Sequence, residues 1–482
     1  MIHILTIVIF CAVLVAPRSA FGEFLGPLPV ALLTLLPALA AVTGMMAVCW
    51  GCRRHLERRG DVRAVTLADW SITLTQWVVV LWHIVALVVL GWLGAVRAVV
   101  GDWIVLDELL AAAPPLLVFI AGWWSIEPID RLLREAALMG ALDHSRPVYS
   151  PLSRAGFVLQ QTRHSLLIVL VPVVVLAGWS ESLEYLLARL APTFPNLLGG
   201  SDARQTAHTV LQVVGVLLIF TLMPLVMRFI WETTPLGPGP LRERLVALCR
   251  RHGVRVRDIL IWRTRGIMLN GAVMGLLSPL RYVLLTDALL ERLPGNQVEA
   301  VMAHEIGHVR RRHVPWLAAA LLVSVGLPMA ALDLAAARWG EALPVGLLAA
   351  AIQLCALAAA VALGLALFGW ISRRFEWQAD AFAAQHLSGM AFAGVDRPVD
   401  PRILPEAAEN MAGALRAVAR LNHIALSRFT WRHGSISRRI DNLAALAGQR
   451  ADRLAIDRHA GLIKVCVAAG LLTLVILLVI QA

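Results

Sequence analysis

The sequence predicts a polytopic α-helical membrane protein. About nine helices cross a bilayer, and a mainly helical domain with a small β-sheet stands on one face of it. Three observations carry this. Of 482 residues, 59% are hydrophobic, and the mean hydropathy is +0.73, above the near-half apolar content of soluble domains. The apolar residues fall in runs long enough to cross ~30 Å of hydrocarbon as helix. Two segments, 231–315 and 372–460, are long and polar enough to fold outside the membrane.

The runs lie near Pro27–Cys49, Ile72–Val96, Ile104–Trp124, Ser165–Trp179, Val210–Met227, Leu317–Ala337, Leu343–Ile371 and Gly461–Ile480. A shorter run, Ile2–Val15, resembles a signal-peptide core, and "APRSAFG" after it offers small residues for cleavage. It has no Lys or Arg ahead of it, so an uncleaved first helix is expected. The resulting plan is 1–230 as N-terminal spans and 231–315 as the first half of the extramembrane domain. Two spans follow in 316–371, then the second half in 372–460 and a last span in 461–482.

The net charge of +11 follows topology. "CRRHLERRGDVR", Arg131–Arg163 and Arg228–Arg292 are rich in Arg. Val96–Asp102, Glu181–His208 and Ala337–Leu343 are not, and carry Asp102, Glu181, Glu184, Asp202 and Glu341. This is the positive-inside alternation. It places the N-terminus and both halves of the extramembrane domain on the cytoplasmic side, with membrane lipids as contacts of the basic loops. No nucleic-acid motif accompanies the charge, and no nucleic-acid partner is expected. Among the six cysteines, Cys11, Cys355 and Cys466 lie in apolar runs as small hydrophobes. Cys49 and Cys52 form a C-x-x-C at a helix end with no βαβ pattern around it, so no redox role is expected. Intramembrane His83 is expected to hydrogen-bond between helices.

In the first half, Pro238 and Pro240 stop the preceding span. "VRVRDILIW", "GIMLNGAVMG" and "SPLRYVLLT" predict a mostly antiparallel sheet of about three strands. Gly271 and Gly275 mark an edge strand, or one that something approaches closely. "TDALLERLPG" is a short helix. Asn296 and Glu299 have capping-box spacing, so the next helix is expected from Gln297 to His313, with Pro315 as a junction.

That helix carries His304-Glu305-Ile306-Gly307-His308. Residues four apart share a helix face, so two imidazoles can reach one metal. Glu305 is displaced by about 100° and is free to act as a general base on the attacking water. The alternative is a helix with two partly buried histidines and a surface Glu. The apolar flanks Val301, Met302, Ala303, Ile306 and Val309 weaken it, because buried imidazoles need partners. A further histidine at H-x-x-G-x-x-H spacing is excluded, since Arg311 and Val314 stand there. His313 is read as solvated or lipid-facing. In "SRRFEWQADAFAAQH", Glu376 can complete a His-His-Glu set, and Asp380, four further on, can orient a ligand histidine.

These residues resemble the membrane zinc metallopeptidases that include HtpX and the CAAX prenyl endopeptidases. "NGAVMG" is similar to the family's N-A-x-x-x-G edge strand, "RYVLLTDALLERL" to its R-x-x-x-L-T-x-x-L-L, and "AVMAHEIGHVRRRH" to its H-E-x-x-H helix. After two spans come "SRRFEWQADAFA", similar to E-x-x-x-D, and "HGSISRRI", similar to H-P-S-x-x-x-R-I. Gly271 replaces the usual Ala, Gly434 the usual Pro, and the spans before the domain are more numerous. The resemblance implies a split zincin-like metalloprotease domain with one Zn2+ per chain on His304, His308 and Glu376. It implies Glu305 as base and proton donor, Asp380 and Arg439 behind the ligands, and His433 as an oxyanion stabiliser. Asn270 and Gly275 would serve the edge strand that binds the substrate backbone. The expected partners are protein or peptide substrates in or near the membrane. They would be cleaved by a zinc endopeptidase in membrane protein quality control or CAAX-like processing. The competing class is a transporter or scaffold with a decayed protease domain. Such a chain is expected to lose Glu305 early, and here it is present.

Overall fold

The structure is a computed structural model. It describes residues 2–14, 16, 24–61, 63–143, 152–194, 201–266, 268–339, 347–391, 401–422 and 424–481. It divides into two compact units, Met1–Trp231 and Glu232–Ala482. Among the described residues, eight helices are long and apolar enough to cross a membrane, and Ile2–Leu14 is a shorter apolar helix. This is a multi-pass helical membrane protein.

Five of the long helices lie in the first unit: Pro27–Arg59, Arg63–Leu90, Leu106–Glu135, Arg154–Leu190 and Ala203–Ile230. Their packed faces are apolar, around Ile9, Phe10, Leu87, Trp92, Ala111, Ala112 and Phe119. Three expectations are corrected here. The run Ile72–Val96 is not one helix. It loosens into a π-turn at Ala86–Leu90 and stops at Gly91, whose φ of +72° favours glycine, before a separate helix, Trp92–Val100. Glu181 and Glu184 are not in a loop, because the span continues to Leu190; Glu181 accepts the N–H of Val105 at 2.8 Å. His83 is buried, and neither ring nitrogen has a hydrogen-bond partner among the described residues. Most of "APRSAFG", and Glu341 in the Ala337–Leu343 segment, lie outside the described residues.

The second unit opens with a four-stranded sheet in the order β1-β2-β4-β3, formed by Thr233–Pro235, Asp258–Trp262, Gly271–Met274 and Tyr282–Thr286 as β1 to β4. The expected sheet of about three mostly antiparallel strands is corrected to a mixed one. β2 and β4 are parallel, with Leu260 opposite Leu284, because the chain passes through edge strand β3 before returning to the centre. β1 is short and ends in a proline, so it gives no alternation to detect. β4 is buried at every position, as a central strand covered on both faces should be. Its side chains join a core with Ile259, Leu289, Met302, Ile306, Phe382 and Leu443. That core ties the sheet to the H-E-x-x-H helix (Gly295–Arg310) and to the second half of the domain.

Three spans belong to this unit: His313–Ala335, Cys355–Leu387 and Ala455–Leu477. They pack through small residues, as membrane helices do. A Cβ on Gly364 would lie 2.5 Å from the Ser324 carbonyl oxygen, and one on Gly326 would lie 2.8 Å from Leu474. The middle span is part of a 41-residue helix, Leu347–Leu387. Its first part is apolar. Its last turns enter the core shared with the sheet and the motif helix and carry Glu376 and Asp380.

Candidate metal centre

The motif helix starts at Gly295 with Pro294 as N-cap. The expected capping box does not form. Asn296 bonds to Asn410 (2.9 Å), and Glu299 receives His386 Nε2 at 3.0 Å. The helix crosses Leu347–Leu387 at Gly307, where a Cβ would meet Phe382 Cβ at 3.1 Å. This close approach brings the two histidines to the carboxylates. His304 Nε2 lies 3.7 Å from Glu376 Oε2. His308 Nε2 lies 3.6 Å from Glu376 Oε1 and 3.2 Å from His304 Nε2. All three ligand atoms fall within 4.8 Å of one another.

These separations fit one zinc ion. With metal–ligand distances of ~2.0–2.1 Å and tetrahedral angles, neighbouring ligand atoms stand ~3.3 Å apart. The protonation pattern fits too. His304 Nδ1 lies 3.0 Å from Asp380 Oδ1, and a carboxylate only accepts, so Nδ1 is the nitrogen placed to carry a proton toward it and Nε2 the one turned toward His308 and Glu376. Burial works against a charged His304, but the Asp380 carboxylate outweighs it and raises its pKa, so a metal at Nε2 competes with a proton there. Burial lowers His308 to about 4, so it is neutral near pH 7 and has a lone pair to give.

Asp380 is itself held by Arg439, with Nε to Oδ2 at 2.8 Å and Nη2 to Oδ1 at 2.7 Å. Arg439 Nη1 also reaches Glu376 Oε2 at 3.4 Å. Glu305 sits beside this cluster. Burial pushes its carboxyl up to about 7; the Glu376 carboxylate adds to the rise, and His304 and the Val273 backbone N–H oppose it. A carboxyl poised near 7 suits a group that must take and return a proton.

His433 Nδ1 lies 3.1 Å from Glu376 Oε2 and is half-exposed. Its loop is tied to the long helix: Trp431 Nε1 donates to the Leu365 carbonyl (3.0 Å), and Arg373 Nη1 to the Trp431 carbonyl (2.7 Å). Gly434 turns the loop at a φ of +76°, a conformation closed to the proline expected there by family pattern. Asn270 is exposed just before β3, and its backbone N–H donates to Thr286 Oγ1 at 3.0 Å. Gly275 lies just past the end of β3 with a φ of +105°, and a Cβ there would meet the Leu280 carbonyl oxygen at 2.2 Å. Gly271 faces the site instead, because a Cβ there would touch Val301 (2.8 Å) and Glu305 Cγ (3.5 Å).

His313 is corrected outright. It is neither solvated nor lipid-facing but fully buried. The motif helix does not reach it: the helix ends at Arg310, Arg312 takes a φ of +56°, and a new helix starts at His313. In one continuous helix, residues 308 and 313 would face ~140° apart. The break swings His313 beneath His308, with Nδ1 to Nδ1 at 2.9 Å. No glycine announces the turn. Asn422 was also missed. Its side chain pairs with both backbone groups of Leu269 at 2.9 Å, holding the start of the edge strand, and a lone Asn at a helix end gives no signal of that.

Residues 265–447 match the family model for peptidase family M48. This stretch is similar to the peptidase domains of that family. The chain is 31% identical over 138 residues to a protein described as a protease HtpX homolog of Aeropyrum pernix. That match covers 27% of this chain and 41% of the relative, so the chain spans about two fifths of the curated relative's length. The crystal structure of S. mikatae Ste24p corresponds over 86% of this chain and 99% of its own, at 14% identity and a TM-score of 0.37. Family M48 is a metallopeptidase family, and the His304–His308–Glu376 cluster lies inside its matched region.

Proposed function

We propose that the chain is an integral membrane zinc endopeptidase. It hydrolyses peptide bonds of membrane-associated or lipidated protein substrates at the cytoplasmic face. The observation that carries this is the convergence of three lone-pair donors from His304, His308 and Glu376 beside a Glu305 held near pKa 7. Zinc, when bound, supplies Lewis acidity and lowers the pKa of water toward ~7. Glu305 accepts the proton of the attacking water and returns it to the leaving amine. The open edge of β3 receives the substrate as an added strand, with Asn270 at its start and Glu305 across from Val273. His433, on its tethered loop, donates to developing negative charge. Arg439 and Asp380 keep His304 aimed.

Bound zinc and cleavage of casein and of a membrane-anchored peptide should be measured in the native chain and in Glu305→Gln. The expected result is about one zinc in both and cleavage only in the native chain. Absence of zinc, or cleavage that survives the substitution, would sink the proposal in favour of a scaffold or transporter with a decayed domain. Cleavage of the soluble substrate alone would refute the membrane-proximal specificity.

A further inference from the structure

The contacts beneath His308 have a direction, and it can be read from the far end. Asp457 is a carboxylate and only accepts, so the Gln378 amide turns its NH2 toward it, Nε2 to Oδ1 at 2.6 Å. Gln378 Oε1 therefore faces His313 Nε2, 2.9 Å away. An amide oxygen also only accepts, so His313 Nε2 carries a proton, and in a neutral imidazole Nδ1 then has the lone pair. His308 Nδ1, 2.9 Å from it, must be the donor. His308 Nε2 is left with its lone pair, facing His304 and Glu376.

We propose that His313 is a positioning residue of the metal centre. It accepts from His308 and donates to Gln378, and so fixes the tautomer and ring plane in which His308 offers Nε2 to zinc. The inference rests on the zinc-peptidase reading. His313 cannot swing freely, since its ring stacks on Phe375 at 4.5 Å and 6°. The chain is anchored where Arg311 Nη2 meets Asp457 at 3.0 Å. The two histidines are thus supported differently: His304 by the carboxylate of Asp380, His308 by a neutral acceptor. His313 stands at the start of one span and Asp457 in the first turn of another, so the support for His308 is built from span ends.

The rival role for His313 is packing alone, and two substitutions separate them. His313→Phe keeps a ring to stack on Phe375 but accepts no hydrogen bond. His313→Asn loses the stack but keeps an acceptor at the Nδ1 position. The readouts are Zn2+ affinity of the full chain in detergent, by competition with a chromophoric chelator, and the absorption spectrum of the Co2+-loaded chain. Positioning predicts that the Phe variant binds Zn2+ about 10–100-fold more weakly with an altered Co2+ spectrum, and that the Asn variant recovers most of the loss. The reverse order overturns the proposal. Gln378→Met breaks the chain one link further out and should weaken binding in the same direction. Unchanged affinity in Gln378→Met, or in the Phe variant, also overturns it. A native chain that binds neither ion would sink the zinc reading and this inference with it. Native binding that the Phe substitution leaves intact sinks only the inference.

Discussion

Gly307 lies between the two candidate ligand histidines, and its lack of a side chain lets the motif helix approach the helix that carries Glu376. A Cβ there would sit 3.1 Å from Phe382 Cβ and Cδ1 and 3.2 Å from Cγ. Ordinary carbon contacts lie at ~3.5–4.0 Å, so Gly307→Ala must open the crossing by about half an ångström. The Phe382 Cβ is fixed to its helix and cannot rotate away. Metal sites tolerate ligand distances within ~0.2 Å, so that displacement falls on the triangle with edges of 3.2, 3.6 and 3.7 Å. Overpacking costs about 1–3 kcal/mol. If it falls wholly on the metal-bound state, Zn2+ affinity drops about 5- to 150-fold at ~1.4 kcal/mol per decade. Gly307→Val should be worse. Phe382→Ala added to Gly307→Ala removes the Cγ and Cδ1 contacts of the ring but not the Cβ contact, so rescue should be partial and the two changes non-additive. Chelator competition measures the native chain, the two Gly307 variants, the single Phe382 variant and the double variant. A Gly307→Ala chain with native Zn2+ affinity would refute the argument that this crossing sets the site.

Arg439→Met leaves Asp380 and Glu376 buried without their guanidinium, and breaking a buried pair from one side costs about 3–5 kcal/mol. The metal-free chain should melt well below the native one, with Zn2+ restoring part of the loss; an unchanged melting temperature counts against the pairing. Glu305 gives a pH prediction for the metal-free chain. Its folded pKa of about 7 is above the unfolded value of ~4.3, so the folded state binds the extra proton and stability falls as pH rises from about 4.5 to about 7. Glu305→Gln should come close to the native melting temperature near pH 4 and exceed it near pH 8, and equal values at both would contradict the burial argument. Gly275→Ala forces a Cβ against the Leu280 backbone from a φ of +105°. It should destabilise the edge strand by about 1–3 kcal/mol, read as faster limited proteolysis between β3 and β4.

The spans were legible because hydropathy over a bilayer length is a strong, local signal. So was the pairing of H-E-x-x-H with E-x-x-x-D, since residues four apart on each helix must share a face. What escaped the sequence is where helices break. Gly91 interrupts an apolar run whose hydropathy does not change, and the turn falls at Arg312, three residues before the Pro315 that marks the junction and with no glycine to place it. The second break reverses the facing of His313, so reading one helix through to 313 put that side chain outside. The parallel β2–β4 pair escaped because an edge strand lies between them in sequence. Local alternation identifies a strand but not its neighbour.

The site is assembled from long apolar helices as much as from the core around the sheet. Glu376 lies five residues beyond Ile371, the last residue of its apolar run, or ~8 Å along the helix. His313 opens the preceding span, and Asp457 lies in the first turn of the last one. The positions of Glu376, His313 and Asp457 therefore depend on how three spans pack. That packing rests on glycine contacts, Gly364 against Ser324, Gly326 against Leu474 and Gly470 against Val323. The core around Leu285, Met302 and Phe382 can hold His304 and Glu305 in place. It cannot by itself hold the support beneath His308. A fragment of the domain freed from its spans would keep the motif and lose half of what orients it.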